Sequence, residues 1–171
     1  PVWLATGILN WALSDPAEWL YYRFGADRIL HDLILLKKGV DMKPLEIGPG
    51  IYDVGVTDWN IRDFHGYSTD LGTTYNSFLI VDEKIALVDT VKKNFSDQLF
   101  KNISQIIDPR KIDLVISNHT ELDHSGSLPR VMHRIGPDKP LYCSKLGHKN
   151  LGKHFRNEFN YHPLTTGDEL S

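Results

Sequence analysis

The 171-residue chain carries one cysteine, Cys143. A lone thiol rules out an internal disulfide framework and fits a reducing, cytoplasmic compartment. Within a strand-like run, Cys143 reads as a small buried apolar residue rather than a nucleophile. No stretch approaches the roughly 18 consecutive apolar residues that a membrane-spanning helix needs, so no membrane segment is expected. A net charge of −3 leaves no basic footprint for nucleic acid. No internal repeat and no low-complexity segment interrupts the chain. The first residue is Pro1 rather than methionine, and residues 166–171 stop in mid-pattern, so a fragment cut at both ends is expected. What is present is ordinary for a globular domain: 41% hydrophobic and 24% charged residues, in a length that suits about one domain.

Residues 1–41 stand apart from the rest. They hold three of the four tryptophans (Trp3, Trp11, Trp19) and the pair Tyr21 and Tyr22. Asp15, Pro16 and Glu18 spell a helix start, with Asp15 as N-cap and Pro16 at the first position. Residues 26–36 suggest a second helix, in which His31 packs rather than reacts. A new composition begins at Met42. The expected division is therefore an N-terminal extension, 1–41, from a preceding domain or read-through translation, and a main domain, 42–171.

From Met42 onward the pattern predicts a strand at 50–56 and a polar, aromatic loop at 58–72. Strands at 75–81 and 84–89 are joined as a hairpin at Asp82 and Glu83. Helical spacing of Phe95, Leu99, Phe100, Ile103, Ile106 and Ile107 follows, and Pro109 ends it. A β-branched run at 112–117 predicts a buried strand. A helix at 128–135, a strand at 140–143 and a helix from Ser144 to about Phe155 complete the order. Strands first, then alternating strand and helix, predict a layered α/β sheet with a helix on its outer face.

The densest chemistry lies directly after the buried strand. His119, Glu121, Asp123 and His124 place four metal-binding side chains within six residues, as H-x-E-x-D-H. In an extended loop alternate residues point the same way, so His119, Glu121 and Asp123 are expected on one side and His124 on the other. Imidazole with carboxylates is a borderline-to-hard donor set suited to iron, manganese or zinc. The competing reading is a polar loop that caps a helix through Asp123 or Ser125. The density of donors at the end of a buried strand favours metal.

H-x-x-x-D-H after a strand resembles the signature of the metallo-β-lactamase superfamily, with Glu121 where the usual member has histidine. A carboxylate there shifts preference from zinc toward iron. Residues 56–66, 72–76, 85–91 and 118–126 together resemble the N-terminal half of flavodiiron proteins (A-type flavoproteins). The resemblance covers about 42–171 and leaves out 1–41.

It implies a layered αββα fold of which the N-terminal half is present, a non-haem di-iron centre, and FMN in a C-terminal flavodoxin-like domain. It implies reduction of O2 to water or NO to N2O, rubredoxin or another redox donor, and a head-to-tail homodimer. By the same match His119 and Glu121 would bind one iron and Asp123 the other. His124 is a further metal candidate. The remaining ligands (a histidine, a bridging aspartate and a last histidine) would lie beyond Ser171. The 171-residue chain alone is accordingly expected to bind a di-iron pair weakly and to show no turnover.

His65, in the aromatic loop, is the catalytic candidate, as a proton donor or a group beside the pocket. Asp89 is expected to brace the metal loop. Tyr75 and Trp59 read as core or dimer-interface aromatics. His133, His148, His154 and His162 read as surface residues. The alternative activity is a zinc-dependent hydrolase of the thioesterase or lactonase type, with metal-bound hydroxide as nucleophile. A third possibility is a metal-free interaction module. Glu121 and the aromatic loop favour the oxidoreductase.

Overall fold

Two apolar runs, Phe78–Val81 (β7) and Ile85–Val88 (β8), pair antiparallel with Leu79 opposite Leu87, as the hairpin expectation required. In the computed structural model, residues 43–156 and 158–170 are described. The helices expected within 1–41, and His31, lie outside the described residues. Residues 44–166 form one compact unit, and the account below concerns that unit.

Ahead of β7 lie β1 (Leu45–Gly48), β2 (Ile51–Asp53), β3 (Val56–Asp58), β4 (Asp63–Phe64), β5 (Tyr67–Ser68) and β6 (Thr73–Tyr75). After β8 come helix α1 (Ser96–Ser104), β9 (Leu114–Ser117), the single turn α2 (Leu122–Ser125) and α3 (Leu128–Ile135). The chain continues through β10 (Leu141–Ser144), α4 (Lys145–Phe155) and β11 (Tyr161–Leu164). Seven strands form one sheet in the order β1-β2-β7-β8-β9-β10-β11. Its first half is antiparallel, and β8 through β11 run parallel. Parallel neighbours need crossovers, and each crossover here contains a helix.

The centre of the sheet is apolar on both faces, the mark of strands covered on either side. Leu87, Val88 and Val115 are fully buried. Leu99 and Ile103 of α1 join them at helical spacing, as do Leu128, Val131, Met132 and Ile135 of α3. Replacing Leu87 with alanine is expected to cost about 2–5 kcal/mol, the usual range for emptying a buried leucine site. Urea unfolding measures it. A loss below about 1 kcal/mol would remove Leu87 from the centre of the core.

Several boundaries depart from the sequence pattern. The strand expected at 50–56 is two strands in different sheets, because the Asp53 carboxylate accepts the Gly55 N–H at 2.9 Å and turns the chain. A Cβ at Gly55 would stand 2.6 Å from the Tyr75 carbonyl oxygen, so glycine permits the close approach of that bend. The strand expected at 75–81 likewise breaks at Asn76 and Ser77, where the Ser77 hydroxyl donates to the Asp89 carbonyl at 2.9 Å. The loop at 58–72 contains a small hairpin, β4–β5, with Phe64 opposite Tyr67. β1 and β11 were not anticipated; β11 contains Pro163, which lowers the strand signal. Among the described residues no helix is long and apolar enough to cross a membrane.

Candidate metal centre

The parallel strands β8 and β9 deliver their carboxyl ends side by side, the place where open α/β sheets gather ligands. Asp89 follows β8, and the H-x-E-x-D-H loop follows β9. Asp89 adopts a left-handed backbone, φ 56°, which aspartate tolerates better than most residues. Its N–H donates to the Ile116 carbonyl at 2.8 Å. Its Oδ1 accepts the N–H groups of Asn118 at 2.7 Å and His119 at 3.0 Å. The bracing expected of Asp89 is thus present in two bonds to the start of the ligand loop. Burial pushes the Asp89 carboxyl up to about 7, against those two donors.

The loop is extended only as far as Glu121. Residues 122–125 close a helical turn, with the N–H groups of His124 and Ser125 both donating to the Glu121 carbonyl. Alternation along an extended loop therefore does not place Asp123 and His124; a helical turn does. Glu121 rather than Asp123 or Ser125 stands at the N-cap position, and its side chain makes no capping bond. That frees its carboxylate.

His65 reaches the same place from a distant part of the chain. It occupies a two-residue hairpin turn with Gly66, both at positive φ (53° and 80°). That is the pattern of a type I′ turn. Phe64 packs beneath it, its ring 4.1 Å from the His65 ring and 6.0 Å from Tyr75. Tyr75 is fully buried and donates to Asp58 at 3.1 Å, a core role; Trp59 is exposed. Burial pushes the Tyr75 phenol up, and the adjacent Asp58 and Asp123 carboxylates add to it.

Glu121 Oε2 lies 3.6 Å from His65 Nε2 and 3.8 Å from His119 Nε2. His65, Glu121 and Asp123 offer ligand atoms all within 4.8 Å of one another. These separations exceed hydrogen-bonding distance. The two Glu121 distances approach the roughly 3–3.5 Å expected between two donors that each stand about 2.1 Å from one ion. One imidazole and two carboxylates, flanked by a second imidazole, fit a hard-to-borderline cation such as iron. His65, Glu121 and His119 are half-exposed, at 53%, 59% and 43% of the side chain. Asp123 and His124 form the less exposed floor, at 10% and 14%.

His124 Nε2 lies 3.5 Å from Asp123 Oδ2, and its ring meets His119 edge-on at 5.1 Å. Its Nδ1 is buried, 4.0 Å from Asp89 Oδ2. Burial lowers the His124 pKa below the ordinary imidazole value, with Asp123 opposing the shift and His119 reinforcing it. A neutral ring is the form that ligates metal.

Elsewhere His133, His154 and His162 are exposed as expected. His148 is half-buried, its ring 4.6 Å from that of Tyr161. Cys143 is buried. The sequence reading missed Thr90 and Ser127 and took Ser125 only as a possible helix cap, yet the hydrogen bonds of all three hold the loop from behind. Ser125 Oγ donates to the Thr120 carbonyl at 3.0 Å, and Ser127 Oγ sits 2.8 Å from Ser96 Oγ. A run of small hydroxyl residues beside a ligand motif was the available signal.

Known proteins match this chain over much of its length. The family described as "ODP family beta lactamase" matches residues 73–169. A nitric oxide reductase of Moorella thermoacetica is 46% identical over 132 residues, 75% of this chain and 33% of that protein. The structure of rubredoxin oxygen:oxidoreductase from Desulfovibrio gigas superposes with a TM-score of 0.72 at 40% identity, covering 75% of this chain and 32% of that one. The flavodiiron protein of Giardia intestinalis gives 0.70 at 32% identity, covering 77% and 32%. The chain thus spans about a third of the length of these relatives.

Proposed function

This chain belongs to the ODP family beta lactamases, and from that premise we propose that it is part of a flavodiiron oxidoreductase reducing O2 to water, NO to N2O, or both. One observation carries the reading: the Glu121 carboxylate stands between two imidazoles, with Asp123 beside it, in the spacing of donors around an ion. When bound, a non-haem iron pair would supply single electrons to a small diatomic substrate. FMN in a separate domain, a rubredoxin-like donor, a head-to-tail dimer and a cytoplasmic setting belong to the same proposal.

The chain's own residues have distinct tasks in it. Glu121 and Asp123 offset the cationic charge and make the donor set hard. His119 adds an imidazole from the loop start, held by Asp89 through its backbone. His124, whose pKa burial lowers, offers Nε2 next to Asp123. A small approach of Asp89 Oδ2 to its Nδ1 would complete an orienting carboxylate–imidazole pair. His65 sits at the exposed rim, its Nε2 facing the Glu121 carboxylate at 3.6 Å.

Metal analysis of the full-length protein tests the assignment. Two irons per chain, with NO or O2 consumption dependent on FMN, are expected. Two zincs and esterase activity would overturn it. Replacing His65 with asparagine is expected to lower O2 and NO turnover about tenfold, the low end for groups that tune a metal site. Unchanged turnover would remove His65 from the centre.

A further inference from the structure

We propose that Thr90 is a positioning residue for the ligand turn, fixing the His124 carbonyl and through it the aim of Asp123 and His124. The inference rests on the metal-centre reading above. Thr90 is fully buried. Its N–H and its hydroxyl both donate to the carbonyl oxygen of His124, at 2.8 and 2.6 Å. That carbonyl belongs to the final positions of a one-turn helix, where no intrahelical donor is available. A single turn has little stability of its own, so its orientation is set by what holds it from outside.

The neighbours of Thr90 hold the rest of the loop. The left-handed backbone at Asp89 redirects the chain so that the next amide faces α2. Asp89 itself binds the N–H groups of Asn118 and His119. The Val91 carbonyl accepts the Ser127 N–H at 2.9 Å. Three consecutive residues therefore clamp the start, the turn and the end of the segment that carries His119, Glu121, Asp123 and His124. Thr90 is the member whose side chain bonds the turn itself. Valine matches its shape without the hydroxyl; serine keeps the hydroxyl without the methyl.

The experiment compares wild type, T90V, T90S and E121A as the full 171-residue chain. Amide hydrogen exchange is followed on the metal-free protein, and Fe(II) is titrated anaerobically. T90V is expected to speed exchange at His124, Ser125 and Gly126 about tenfold while leaving Val131 and Gly136 unchanged, a local opening. It is also expected to weaken Fe(II) binding about tenfold. T90S stays within about twofold of wild type in both measurements. If T90V does not fold, T90A is read by the same ratio of exchange rates. Turn amides as protected as in wild type would overturn the proposal. So would acceleration spread equally over α2 and α3, which marks general destabilisation. E121A judges the metal reading separately: Fe(II) binding unchanged in E121A would refute that reading, while the exchange ratio still decides the role of Thr90.

Discussion

Replacing Glu121 with alanine is expected to weaken iron binding by the full-length protein at least about a hundredfold. Groups that merely orient ligands cost 10–100-fold when removed, and a direct donor falls at or beyond the top of that range. Glu121 Oε2 approaches both His65 and His119. Without it two imidazoles face each other with no anion between them, and Asp123 is left as the acidic donor of the compact group. The same change should leave the stability of the metal-free chain within about 0.5 kcal/mol, since the side chain is exposed and caps nothing. Anaerobic Fe(II) titration and denaturant unfolding, run on the same preparation, separate the two effects. Wild-type affinity in the variant would show that the carboxylate is not a ligand.

Replacing Asp89 with alanine is expected to cost about 2–5 kcal/mol of folding stability. Two backbone N–H groups, of Asn118 and His119, lose their acceptor. An unsatisfied buried donor costs roughly 1–3 kcal/mol. Alanine must also take the left-handed backbone at this position, at about 1–2 kcal/mol. Asparagine avoids both penalties, since its carbonyl oxygen accepts the same two bonds and its backbone tolerates positive φ. D89N should therefore recover most of the loss. Urea unfolding of the metal-free chain measures all three proteins. A D89A variant within about 1 kcal/mol of wild type would contradict the bracing account.

The agreement between pattern and structure was closest where a single segment decides its own conformation. Helix α3 spans the residues that its apolar spacing predicts. α4 starts from Ser144 as expected, the Ser144 Oγ accepting the Gly147 N–H at 2.9 Å. β9 is a buried strand feeding a loop of donors, as its β-branched run and the motif behind it require. The family resemblance was also legible, because several separated motifs agree in order.

Other features depend on contacts between distant segments. Nothing local in 50–56 says that Asp53 will fold back on Gly55 and split the strand between two sheets. Nothing near His65 says that a positive-φ turn will lift its ring to within 3.6 Å of Glu121, because that distance depends on where the β4–β5 hairpin packs. Thr90 looked like an ordinary residue after a strand until α2 was seen to hang from it. Residue type and spacing are local, so the donor types that the loop carries could be read from the chain alone. Which of them meet depends on packing, because backbone turns and buried hydrogen bonds set those distances.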